Sequence, residues 1–247
     1  MIKTIPKEVQ NFIDSYFKLK INGVEIITPY FINLGGFLRP PVNAGKGTPE
    51  EIQNEVLKIL CQNGENNDDL LAFLKSNGIG IDCSGLVYNI YDFWLKSVGE
   101  KSLRDFLPTV SPLNLRKYLS RKIKPQNSIG ADEMTKEPFS QKIDVSKIQP
   151  GDLIRTKSGK HVLFITEVEF NSANKPVKAK YVQSSRWHEP NGMKYGIIDF
   201  DHNSTSLNNA VWLDNDGLKE DKITEEGFRE GINTNGVYRP NLPILNS

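Results

Sequence analysis

The sequence predicts an α+β fold, helices first and an antiparallel meander after. Two observations carry this. Apolar side chains recur at helical spacing in four segments before residue 100, and β-prone runs separated by turn residues follow from residue 150 onward. A third locates the centre. Residues 80–94, Gly-Ile-Asp-Cys-Ser-Gly-Leu-Val-Tyr-Asn-Ile-Tyr-Asp-Phe-Trp, read as a helix that is apolar almost all round, the kind buried inside a domain. The 247 residues are read as a single domain (1–247) with a helical N-terminal extension at about 1–20 and long inserts at about 37–79, 98–146 and 201–233.

Residues 7–19 form the first helix, with Val9, Phe12, Ile13, Tyr16 and Phe17 on one face; Asn22-Gly23 then turns the chain into a short strand at 24–27. Thr48, Pro49 and Glu51 are a capping box that opens a helix running to about Cys61, whose spacing marks Cys61 as packing. The Gly45-Lys46-Gly47-Thr48 stretch is no phosphate loop, because glycine stands where Ser or Thr must follow the lysine. Residues 68–76 give a short helix that Asn77-Gly78 breaks. Residues 98–146 are polar. They hold one amphipathic helix near 113–123 and otherwise read as an elaborated loop of the kind that forms lids, its basic cluster being a solvated face.

Order resumes at Ile148–Arg155, a turn leading into a strand. His161–Phe170 is the most β-prone strand, Asn171–Pro176 the turn, and Val177–Ser185 its partner. A strand at 192–200 and a last, sheet-closing strand at 237–240 follow.

Lys and Arg number 31 against 30 Asp and Glu, so a net charge of +1 offers no footprint for nucleic acid or an anionic surface. Two cysteines, Cys61 and Cys83, make no disulfide framework, and the cysteine and histidine spacings fit no zinc site; no metal and no cofactor are expected. No apolar run has the length of a membrane span, and no signal peptide is read at the start. The expected location is the cytoplasm or, by an unrecognised route, outside it.

Cys83 falls in the first turn of the buried helix, where free N–H groups and the macrodipole favour a thiolate. A nucleophilic cysteine needs an imidazole, and the imidazole needs an orienting group. Of three histidines, His161 opens the strongest strand, whereas His188 and His202 lie in polar, turn-rich surroundings and read as surface loops. Strand pairing places Gln183, Ser184 or Arg186 opposite His161, depending on where the hairpin is centred. Gln183 is favoured because its carbonyl oxygen accepts an imidazole N–H.

Four blocks, Asp82-Cys83-Ser84-Gly85-Leu86-Val87, Pro150-Gly151-Asp152-Leu153, His161-Val162 and Tyr181-Val182-Gln183-Ser184-Ser185, resemble the signatures of the NlpC-type cysteine peptidases. The resemblance extends over roughly residues 25–240, with specific matching confined to the blocks. It implies a papain-like domain and hydrolysis of amide bonds, many relatives cutting peptidoglycan stem peptides. It also implies Cys83 as nucleophile, His161 as base and Gln183 at a third position that is usually histidine. Tyr30, Asp82 and Ser84 are the implied substrate-binding residues. The alternatives are a peptide- or glycan-binding module without catalysis, and an amidase or acyltransferase on another substrate. Lipid acyltransferase relatives carry the histidine before the cysteine, the reverse of the order here.

Overall fold

The computed structural model describes residues 1–33, 35, 38–63, 69–200, 206–231 and 233–245. In chain order the elements are β1 (Ile2–Thr4), α1 (Lys7–Phe17), β2 (Leu19–Ile21), β3 (Val24–Ile26), α2 (Pro49–Asn63), α3 (Leu70–Ser76), α4 (Cys83–Ser97), α5 (Leu115–Ile123) and α6 (Ala131–Met134). Then come β4 (Ser140–Ile143), β5 (Leu153–Thr156), β6 (His161–Phe170), β7 (Pro176–Ser185), β8 (Gly192–Asp199), β9 (Val211–Asp214), α7 (Lys222–Arg229) and β10 (Gly236–Pro240). The fold is mixed α+β on a large antiparallel sheet of order β4-β10-β5-β6-β7-β8-β9, with β1 paired to β6 beyond the end of β5. The small β2–β3 hairpin turns at Asn22-Gly23, both at positive φ as a tight two-residue turn requires.

Helix α4 is the interior element that its composition predicts. The Asp82 side chain accepts the Gly85 N–H at 2.6 Å and starts it. Eleven of its fifteen residues are buried, so it is enclosed on several sides rather than laid on the surface. One side meets the sheet, where Tyr91 stands edge-on to Phe164 at 5.4 Å. Another meets α1, where Phe93 stacks on Phe12 at 4.4 Å. Val162, Phe164 and Val182 belong to this core. Leu163, Ile165 and Tyr181, alternating with them, point to the other face and pack with Trp212 and with Phe228 of α7.

The Gly151-Asp152 block is a clamp. Asp152 is fully buried and takes two hydrogen bonds from the Arg239 guanidinium on β10, at 2.8 and 2.9 Å, while Tyr91 donates to the Gly151 carbonyl at 2.6 Å. The block thereby ties α4 to the sheet. The capping box of α2 forms as the sequence predicts, Thr48 and Glu51 each bonding the other's N–H.

Several expectations are corrected. The N-terminus is no appended helix: β1 joins the sheet, and Val9, Ile13 and Tyr16 of α1 lie in the core. In the segment 98–146 the expected helix forms as α5, but the remainder is no simple loop, since it supplies α6 and β4; β4 (Ser-Gln-Lys-Ile) is polar and half exposed, so it carries no alternation to read. Strand β10 lies between β4 and β5 and is therefore interior rather than the closing strand. Cys61 is exposed, because α2 turns Ile52, Val56 and Leu60 inward instead. In the basic cluster Arg121 is buried, donating to Ser128 and to the Pro108 carbonyl. Residues 201–205 are outside the described residues, but β9 and α7 organise much of the remainder of the 201–233 segment.

Candidate active site

Cys83 opens α4 and is 5 % exposed. It borders a cleft of about 390 Å³ that Tyr30, Lys46, Asp82 and Ser84 also line, together with residues 127–133 of the 98–146 segment. That segment therefore shapes the cleft. Tyr30 is half-buried and is held at this edge by a bridge between its backbone and Ile81. Burial above all keeps its phenol protonated.

Lys46 is a component that the sequence reading passed over. Its ammonium sits 2.8 Å from Asp82 Oδ1 and hydrogen-bonds Ser84 Oγ, and all three residues are buried. The contact is possible because α4 runs against the 45–47 loop: the Asp82 N–H donates to the Gly45 carbonyl, and a Cβ at residue 85 would lie 2.6 Å from that same oxygen. The Asp-Cys-Ser-Gly block thus has a packing reason for its glycine as well as a capping reason for its aspartate. Among the described residues, Asp82 Oδ2 is buried without a hydrogen-bond partner.

The thiol does not have the character expected from its helix position. Burial, with the Asp82 charge next, pushes the Cys83 pKa up to about 12; Lys46 and the backbone N–H groups of Val162 and Ser84 pull it only part of the way back. Loss of water around sulfur outweighs the favourable dipole, so the resting group is a thiol. In a Cys61→Ser protein, alkylation of Cys83 by iodoacetamide is accordingly expected to be slow at pH 7. Its rate should rise about tenfold per pH unit through pH 9, following the thiolate fraction. A rate plateau between pH 6 and pH 8 would show instead a preformed thiolate.

His161 is 3 % exposed, and its Nε2 lies 2.7 Å from Gln183 Oε1. Burial, opposed by the Gln183 hydrogen bond, pulls its pKa down to about 4, which leaves it a neutral base at physiological pH. Its Nδ1 is buried with no hydrogen-bond partner among the described residues. The Trp187 ring meets the imidazole edge-on at 5.1 Å. The hairpin register differs from the three considered. Phe164 faces Val182, so continuing the register sets Ser185 across from His161, and Gln183 reaches it diagonally on the same face.

Cys83 and His161 come to adjoining positions without a hydrogen bond between them. The Val162 N–H, one residue past His161, acts on the Cys83 sulfur, while Gly159 and Lys160, just before it, line the same cleft. The imidazole itself projects with Gln183 toward α7. At rest the cleft holds a neutral thiol, and the neutral imidazole at the start of β6 lines a separate small cavity with Gln183, Trp187, His188 and Thr224.

His188 is not a surface residue. It is 4 % exposed, with Nδ1 2.8 Å from Ser185 Oγ and Nε2 2.9 Å from Asp221 Oδ1. Ser185, three residues before it, and the distant Asp221 supply the hydrogen-bond partners that permit its burial. His202 lies outside the described residues. No group of three or more side chains able to hold a metal occurs among the described residues, and none of their helices is long and apolar enough to cross a membrane.

Compared with known proteins, the chain matches no family model, no curated protein and no solved structure.

Proposed function

We propose that the chain is a cysteine peptidase of the NlpC type on a papain-like variant of the α+β fold, hydrolysing amide bonds in peptidoglycan stem peptides. The observation that supports the proposal is a cleft-lining thiol at the start of α4 that meets the Val162 N–H, one residue past an imidazole whose Nε2 is held by Gln183 and whose Nδ1 has no partner among the described residues. As a substrate carbonyl approaches Cys83, His161 takes the thiol proton on Nδ1 and sulfur forms a tetrahedral adduct. The Cys83 backbone N–H, in the first turn and therefore without an intrahelical acceptor, stabilises the oxyanion; the protonated Tyr30 hydroxyl is a second donor at the same cleft. The imidazolium then protonates the departing amine and leaves a thioester on Cys83. Water, deprotonated by His161, attacks that thioester and releases the acid. A substrate in the cleft also excludes water, so the neutral resting pair needs no ion pair made in advance.

The test is mass spectrometry of a defined stem-peptide mixture incubated with the protein and with Cys83→Ala. The expected result is a pair of fragments that differ from one parent peptide by one water and are lost with the variant. Stem peptides that bind with unchanged mass would support a binding module instead.

A further inference from the structure

Behind Gln183 runs a chain of buried polar groups that the catalytic reading does not use. Asp221 caps α7 and is 5 % exposed. Its Oδ1 accepts the Thr224 N–H at 3.1 Å and lies 2.9 Å from His188 Nε2. Its Oδ2 accepts the Thr224 hydroxyl at 2.8 Å and the Tyr181 hydroxyl at 3.2 Å. A carboxylate surrounded by donors in this way only accepts. The Thr224 hydroxyl has one hydrogen, and that hydrogen is committed to Asp221. What remains on Thr224 Oγ1 is lone pairs, and they face the Gln183 side-chain nitrogen at 3.1 Å.

The direction of every later bond follows from this donor count. Only the amino end of the Gln183 amide can face Thr224, so only its carbonyl end can face His161. A carbonyl oxygen 2.7 Å from Nε2 requires the proton there. With a flipped amide, two acceptors would face each other at Thr224 and two buried hydrogen bonds would be lost. We propose that Thr224 and Asp221 are positioning residues that select the tautomer of His161, holding its proton on Nε2 and keeping Nδ1 bare for the Cys83 proton. This rests on His161 being the general base. The polarity of the chain runs from a carboxylate on α7, through a threonine and a glutamine, to the imidazole on β6.

The tautomer can be read without any substrate. In the full chain labelled with ¹⁵N-histidine, two-bond ¹H–¹⁵N correlations at neutral pH distinguish a protonated from a bare ring nitrogen, and His161→Gln and His202→Gln identify the signals. The expected parent spectrum has His161 protonated on Nε2. Thr224→Val keeps the shape and removes the hydroxyl, so the Nδ1–H form should become populated. With a stem-peptide substrate, kcat should fall roughly tenfold or more with KM within about twofold, because a wrong tautomer spoils the base rather than binding. Thr224→Ser should restore both readouts. Asp221→Asn can donate where Asp221 accepts, and should shift the tautomer in the same direction if Thr224→Val fails to fold.

A parent proton on Nδ1 overturns the proposal. So does an unchanged tautomer in both variants, or a Thr224→Ser protein as impaired as Thr224→Val. If the tautomer shifts as expected but Cys83→Ala still hydrolyses the substrate, tautomer selection stands and the peptidase reading falls.

Discussion

Cys83→Ala is expected to lower kcat on a susceptible stem peptide by about 10⁴-fold or more, leaving at most a residue of catalysis from binding and the oxyanion donors. The thiol is small, so losing it from a buried site should cost about 1 kcal/mol, a shift of about 2–4 °C in the unfolding midpoint for a chain of this size. Activity and stability therefore separate, which is the mark of a reacting group. His161→Ala should lose nearly as much rate, because the proposed mechanism routes its proton transfers through that imidazole. Gln183→Ala should lose less, about 10- to 100-fold, since it orients the ring and touches no reacting atom. Steady-state kinetics with thermal unfolding of the same preparations checks all three. Equal turnover by Cys83→Ala and the parent would end the nucleophile assignment.

Lys46→Met is expected to be the most destabilising of the single changes considered, by roughly 3–5 kcal/mol, or a midpoint lowered by about 10 °C. Methionine replaces the aliphatic stem but not the charge. Asp82, 1 % exposed, then stays buried without its cation, retaining only the Gly85 N–H and the Ser84 hydroxyl as partners on Oδ1. The lost cation also removes one of the few influences that hold the Cys83 pKa down, so alkylation at a fixed pH should slow further. Lys20→Met is the control: its pair with Glu25 is exposed on both sides and should be worth less than about 1 kcal/mol. Thermal unfolding followed by circular dichroism compares the two. Equal midpoints would mean that the Lys46–Asp82 pair contributes no more than a surface pair.

What the sequence alone determined is what short-range chemistry encodes. The Asp82 cap and the all-round apolar pattern place α4 in the interior, Thr48 and Glu51 start α2, and the β-prone run from His161 forms β6 with its hairpin partner. Cys83, His161 and Gln183 are singled out by residue type and order, and the bond between the last two is formed, although through a diagonal rather than a direct pairing. A polar strand such as β4 and a polar helix such as α7 stayed illegible, because their stability comes from the sheet and the core they join rather than from local pattern. Tertiary structure alone decided the partnership of Lys46 with Asp82, the burial of His188 against Asp221, and the cleft wall made by residues 127–133. It also decided that the helix start holds a thiol. Desolvation is set by everything packed around an atom, including segments far away in the chain, and no spacing of residues along one helix records it.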